Sequence, residues 1–274
     1  VRVRVNEKVL SLDEGMTLFR LRELCKPEAD LIIYNGFPVP ADLDLKDGDE
    51  VQLIRRGEAP TLQEMEGLMV ARHTPGVHGL LKKATVGIAG LGGLGSSCAV
   101  ALCRMGIGTL VLADFDVVEP SNLNRQQYFV DQIGMYKTEA TRQNLQRINP
   151  YVRLETHCLM LDESNIPRIF SGASVVVEAF DRAEMKAMIV KTVLAAMPGV
   201  SVVAASGVAG YGDGNEVRVA ELTQHLFIIG DGRSEARPGM GLMAPRVGIA
   251  AHQQANTAVR IILGDLPAAD SYEA

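Results

Sequence analysis

The chain has 274 residues, 47% hydrophobic and 22% charged, an ordinary balance for a globular protein long enough to bury one large domain and a small one. A formal net charge of −6 argues against nucleic acid as the main partner. No apolar run approaches the roughly 20 residues that span a bilayer, so no membrane role is expected.

Residues 1–10 alternate apolar and charged side chains, unlike a secretory signal, and a cytoplasmic location is the expectation. Val1, Val3 and Val5 against Arg2 and Arg4 predict a half-buried strand, with a turn at Asn6-Glu7-Lys8 and a return strand over 9–12. Thr17 is placed to cap a helix carrying Leu18, Leu21 and Leu24 on one face. A strand over 31–34 runs into the Asn35-Gly36 turn signal, and Lys46-Asp47-Gly48-Asp49 turns into a last strand over 51–55. The order β-β-α-β-β makes residues 1–57 a compact α+β unit. Residues 58–63 read as a linker, and Thr61 with Glu64 as a capping box opening the next helix. His73 and His78 have no ligand-like neighbour in sequence and read as loop or surface residues.

Residues 86–89 form an apolar run suited to a buried parallel strand, followed by Gly90, Gly92, Gly93 and Gly95, then a helix over 96–105 and a second apolar strand over 110–113. Gly90, Gly92 and Gly95 fit G-x-G-x-x-G, which brings backbone and a helix N-terminus against a phosphate. Asp114 ends the second strand, where an acidic residue bonds a ribose hydroxyl. Any nucleotide bound on a doubly wound sheet would satisfy that much, with NAD as the default. The following Ser121, Asn122, Asn124, Arg125 and Gln126, with Lys137 at a helix start, supply amides and two cations, which suit a longer and more highly charged phosphate chain. A strand over 152–156, a helix over 162–170 interrupted by Pro167, and a buried strand over 175–179 come next. Asp181 stands just past that last strand, placed either to hold Mg²⁺ between phosphates or to cap the helix over 182–196. A strand over 201–206, a hairpin over 216–229, a glycine-rich loop over 230–241 and a closing helix over 247–263 complete the chain, with a frayed tail expected over 267–274. The four cysteines, Cys25, Cys98, Cys103 and Cys158, form no C-x-x-C pair, so no zinc is expected.

The stretches GLGGLGS, DFDVVEPSNLNRQ, GMYK, VVVEAFDR and LMAPRVGIAAHQQA occur in the order seen in the ThiF/MoeB/HesA family, the bacterial relatives of ubiquitin-activating enzymes, and residues 64–264 resemble that family. LIIYNGFPVP and LKDGDEVQLIRRG make residues 1–57 similar to the sulfur carrier ThiS, a ubiquitin-like β-grasp fold. The resemblance implies an α/β protein with a doubly wound Rossmann-like sheet over 64–274, preceded by a small N-terminal α+β β-grasp domain. It implies adenylation, with ATP and Mg²⁺, of the C-terminal carboxylate of a small β-grasp carrier ending in Gly-Gly, with thiamine biosynthesis as the natural pathway. Gly90, Gly92, Gly93, Gly95, Asp114, Ser121, Asn122 and Gln126 would bind the nucleotide. Arg125 and Lys137 would hold phosphates and Asp181 the Mg²⁺. Arg72, the best match to a family arginine upstream of the glycine loop, would reach the ATP of a partner subunit, which requires a two-fold homodimer. Two departures stand out. Many members carry two C-x-x-C pairs for a structural zinc, and neither is present. Members that form a thioester or persulfide carry a cysteine in the loop before the last helix, whereas no cysteine follows Cys158. Residue Gly57 is followed by Glu58, so the ThiS-like unit offers an internal amide where a carrier offers a free carboxylate. Two other readings are a non-catalytic binding module controlled by its fused β-grasp unit and an NAD-dependent oxidoreductase; the second leaves Arg125 and Lys137 without a task.

Overall fold

The computed structural model describes residues 1–6, 8–74 and 76–264; the expected turn residue Glu7 and the expected frayed tail over 267–274 lie outside the described residues. The chain divides into two compact units, Val1–Leu80 and Leu81–Ala274.

In the first unit, β1 (Arg2–Val5) and β2 (Lys8–Ser11) pair antiparallel. Thr17 Oγ1 accepts the Arg20 N–H and starts α1 (Leu18–Cys25). Leu18 and Leu21 are buried, but Leu24 is 67% exposed. Six residues advance a helix about 240° beyond a full turn, so Leu24 leaves the face that Leu18 and Leu21 share. β3 (Leu31–Tyr34) turns at Asn35 and Gly36, both with positive φ (50° and 86°), into the short β4 (Phe37–Pro38), a strand the periodicity does not announce. β5 (Glu50–Ile54) runs parallel to β1 and antiparallel to β3, giving a five-stranded sheet of order β2-β1-β5-β3-β4. Val3, Leu18, Leu21, Ile32, Val51 and Leu53 make the core. This is the small ubiquitin-like fold.

The unit continues past residue 57 because α2 (Leu62–His73) packs on β5 and β3. Thr61 and Glu64 form the capping box, and the buried Glu64 also accepts the Lys26 ammonium at 2.9 Å. α3 (Val77–Lys83) contains the division between the units. The two histidines are not loop residues: His73 closes α2, and His78 is buried within α3 with its ring 6.0 Å from that of His73.

The second unit begins with β6 (Thr85–Ala89), α4 (Gly93–Arg104) and β7 (Thr109–Asp114). α5 (Lys137–Ile148), β8 (Arg153–Cys158) and α6 (Ile166–Ile169) follow. α6 is far shorter than expected. Pro167 sits in its first turn, where a missing N–H costs nothing, and the Asp162 side chain takes the N–H groups of Ser164 and Asn165 in a turn upstream. β9 (Val175–Glu178), α7 (Ala183–Ala196), β10 (Ser201–Ala205), the hairpin β11 (Arg218–Thr223) and β12 (Leu226–Gly230), and α8 (Ala244–Leu263) complete it. The seven strands run β11-β12-β10-β9-β6-β7-β8, all parallel except the edge strand β11. Strand order reverses between β6 and β9, and the crevice of a doubly wound sheet lies at the carboxyl ends of the strands at that point. Val86 and Ile88 of β6 and Val175, Val176 and Val177 of β9 are buried, and α8, in which Ala250, Ala251 and Ala258 are buried, packs against α4. No described helix is long and apolar enough to cross a membrane.

Candidate functional site

The crevice starts with the glycine loop after β6. Gly90 has φ 91°, and a Cβ there would lie 2.9 Å from the Ala179 carbonyl oxygen. A Cβ on Gly95 would lie 1.9 Å from the Gly90 carbonyl oxygen, so this position admits only glycine without moving backbone. A Cβ on Gly93 would meet Val247 at 2.9 Å, while one on Gly92 would find nothing nearer than Gln126 Nε2 at 3.9 Å. Gly92 caps α4 with no side chain and the first turn holds no acidic residue, so the chain leaves the positive end of that helix uncompensated. An anion fits there.

Asp114, 9% exposed at the end of β7, braces the loop. Its Oδ2 accepts the Leu91 N–H at 2.6 Å and its Oδ1 the Asp116 N–H at 2.7 Å. Burial pushes its carboxyl above the ordinary aspartate range, with those two bonds and the Lys137 charge opposing. Each oxygen keeps a lone pair, so a ribose hydroxyl can still be received.

The segment after β7 folds back on the loop. Glu119 N–H donates to Asn122 Oδ1 at 3.0 Å, in a single 3-10 turn over Pro120–Asn122. Asn122 is buried and Ser121 exposed. Arg125 Nη1 donates to Ser121 O at 3.2 Å and Asn124 Oδ1 at 2.8 Å, and Asn124 Nδ2 donates to Leu242 O at 3.0 Å, which ties this segment to the stretch before α8. Gln126 is buried against Gly92, and its Oε1 has no hydrogen-bond partner among the described residues. Sequence reading misses the braces underneath. Tyr128 OH donates to Leu91 O at 2.7 Å, and Ser96 Oγ donates to Gly92 O at 2.7 Å while accepting the Gln127 N–H at 3.1 Å. A buried tyrosine beside a glycine loop is the signal that would have pointed to them.

Lys137 opens α5 and is buried, with Nζ 2.8 Å from Asp116 Oδ2. Asp181 follows β9 on the other side of the loop. Ala179 O and the Phe180 ring are what a Gly90 Cβ would touch, so the residues leading to Asp181 line the glycine turn. Asp181 is exposed and has no hydrogen bond or ion pair among the described residues. The N-cap of α7 is Arg182 and has no side-chain cap bond, so Asp181 does not serve as that cap. No group of three or more His, Cys, Asp or Glu side chains suited to a metal exists among the described residues. Mg²⁺ needs less from a protein when phosphates supply its other ligands, since one carboxylate suffices, and a free Asp181 beside the loop fits that mode.

Arg72 is exposed in the last turn of α2, in the first unit. Cys98 and Cys103 are buried, their thiols pushed up to about 12 and about 11 by desolvation, while Cys25 and Cys158 are exposed. The loop after β12 carries a cavity of about 250 Å³ lined by Glu216, Asp231, Arg233, Ser234, Arg237 and Met240. Asp231 Oδ2 there meets Arg246 Nη2 of α8 at 2.7 Å, both side chains 3% exposed.

Fold and crevice together define a doubly wound α/β protein of the nucleotide-binding kind, joined to a ubiquitin-like unit. The chain belongs to the ThiF family, which matches residues 70–273, and residues 1–57 match ThiS-like ubiquitin. Among curated relatives, "Adenylyltransferase and sulfurtransferase UBA4" of Vanderwaltozyma polyspora is 30% identical over 191 residues, 68% of this chain and 42% of that protein. "Ubiquitin-like modifier-activating enzyme 5" of Drosophila persimilis is 49% identical over 77 residues, 28% of this chain and 20% of that protein. The chain therefore spans less than half the length of these relatives. In structure, the E. coli tRNA N6-threonylcarbamoyladenosine dehydratase TcdA in complex with AMP superposes with a TM-score of 0.68 at 20% identity, covering 76% of this chain and 98% of that one. That likeness extends the match in fold.

Proposed function

We propose that the protein adenylates the C-terminal carboxylate of a small β-grasp carrier ending in Gly-Gly, using ATP. The observation that carries this reading is the pairing of a bare helix N-terminus at Gly92 with an unpartnered carboxylate, Asp181, on the segment that lines the same glycine turn. The carrier carboxylate attacks the α-phosphorus of ATP, an acyl-adenylate forms and pyrophosphate leaves. The protein aligns the reactants and neutralises phosphate charge. Asp114 takes the ribose. Gly90, Gly92, Gly93 and Gly95 admit the phosphates to the head of α4, with Ser121, Asn122 and Gln126 on the nucleotide. Arg125 and Lys137 take phosphate oxygens, for which Lys137 must exchange its bond to Asp116. Asp181 would hold Mg²⁺, which would neutralise phosphate charge. Arg72 completes the site of a second subunit, in a two-fold homodimer.

The ThiS likeness of residues 1–57 supports thiamine biosynthesis as the pathway. The name of the Vanderwaltozyma polyspora relative, adenylyltransferase and sulfurtransferase, supports the adenylation step without naming this pathway. The loop over 230–241 holds no cysteine, so this loop offers no thiol to take the acyl group from the adenylate. Carrier-dependent exchange of labelled pyrophosphate into ATP tests the reading, and a thermal shift with ATP against NAD separates it from a dehydrogenase.

A further inference from the structure

Three residues before Asp181, the chain places a carboxylate that the reaction does not touch. Glu178 ends β9 with no exposure at all. Its Oε1 accepts the Phe180 N–H at 2.7 Å and Lys186 Nζ at 3.1 Å. Its Oε2 accepts Lys186 Nζ at 3.2 Å and the Ala205 N–H at 3.3 Å. Lys186 donates further to the Ala205 carbonyl at 3.0 Å. From α8, Gln254 Nε2 donates to the Glu178 and Val203 carbonyls at 2.9 and 3.2 Å.

This network ties the ends of β9 and β10 together past their last paired residues, Val177 and Val203. A buried ion pair adds little net stability over a well-packed apolar pair. What it fixes is geometry. Asp181 has no bond of its own, so its position is set by the backbone that leads to it. The Phe180 N–H belongs to that backbone and is fastened by Glu178. On the other side, the same Ala179–Phe180 stretch is stopped by the glycine turn at Gly90. Ligating carboxylates need such support to be held in productive geometry.

We propose that Glu178, locked by Lys186, is a positioning residue that sets Asp181 for the Mg²⁺ carried by ATP. The inference rests on the adenylation reading, and its test is built to fail separately. Wild type and Glu178→Gln are compared by thermal shift without carrier, first with ATP and a chelator, then with ATP and increasing Mg²⁺. The shift with metal-free ATP is expected to be unchanged, while the Mg²⁺ concentration giving half of the additional shift rises roughly tenfold or more. Pyrophosphate exchange by the variant recovers as Mg²⁺ is raised. The double variant Glu178→Gln/Lys186→Gln leaves no uncompensated charge and serves if the single variant does not fold; the same displacement is expected. An unchanged Mg²⁺ requirement, or an equal loss of the metal-free ATP shift, overturns the proposal. A wild type with no Mg²⁺-dependent shift overturns the functional reading itself, and the proposal with it.

Discussion

The Lys137 ammonium sits 2.8 Å from Asp116 Oδ2, with the lysine side chain 7% exposed and the aspartate 50% exposed. The cation is thus held at the crevice by a partner that water already reaches. The proposed function requires phosphate oxygens to replace that partner. Lys137→Met removes the charge and keeps most of the buried stem. Its exchange rate is expected to fall on the order of 10²-fold, the usual cost of losing one donor to developing charge. A loss below threefold would remove Lys137 from phosphate binding.

Two glycines of the loop separate close packing from close approach by a ligand. Gly95→Ala drives a Cβ to 1.9 Å from the Gly90 carbonyl, so the loop opens, the second unit is destabilised and ATP no longer raises its melting temperature. Gly92→Ala meets nothing nearer than 3.9 Å and keeps the melting temperature of wild type. If phosphate packs on Gly92, that alanine still weakens ATP binding. Wild-type ATP affinity in Gly92→Ala would place the phosphates elsewhere.

The loop before α8 is pinned by Asp231 and Arg246. Burial alone would raise the Asp231 carboxyl. Hydrogen bonds from the Ser234 side chain and N–H, the Arg233 N–H and Arg246 outweigh it and hold the group at about 2, below its ordinary 3.8. A folded-state value below the unfolded one stabilises the fold above about pH 4, and the contribution disappears as pH falls through 2. Arg246→Met strands the buried carboxylate, and urea denaturation near neutral pH is expected to show a loss of about 3 kcal/mol. The variant should also lose part of the wild-type steepening between pH 4 and 2. An unchanged urea midpoint would show that the pair contributes nothing.

Local signals were legible in the sequence where they are local in space. The capping box at Thr61 and Glu64, the Asn35-Gly36 turn and the apolar runs of β6, β9 and β10 all depend on neighbours a few residues away. The glycine loop was legible for the same reason. Leu24 departs from the expected face because a spacing of six is not a helical face. His78 and the length of α6 depart because burial and turn bonds outweigh local propensity. Glu178 carries no signal of its own within the buried strand over 175–179. Its partners Lys186 and Ala205 come from α7 and β10, and no periodicity announces a contact made by sheet topology. The bond of Asp116 to Lys137 is hidden likewise, since its partners stand 21 positions apart in the chain.

Arg72 tests the subunit arrangement. If it serves the neighbouring subunit's nucleotide, a mixture of Arg72→Ala and Asp181→Ala chains regains activity, because one site of each heterodimer then holds both groups. About a quarter of wild-type activity is expected from a random mixture, since half of the dimers are mixed and each has one intact site. No recovery after confirmed subunit exchange would assign Arg72 to the surface.

The proposed function stands on one step, activation of a carboxylate by adenylation at the crevice between the glycine loop and Asp181. Exchange of labelled pyrophosphate into ATP, measured with a Gly-Gly carrier and Mg²⁺, reads that step in its reverse direction. Exchange by the wild type is expected to depend on the carrier and to be lost when the carrier's terminal carboxylate is amidated. In Asp181→Ala a loss of at least about 10²-fold is expected with the fold retained. Exchange that persists without a carrier carboxylate, or near-normal exchange by Asp181→Ala, would contradict it.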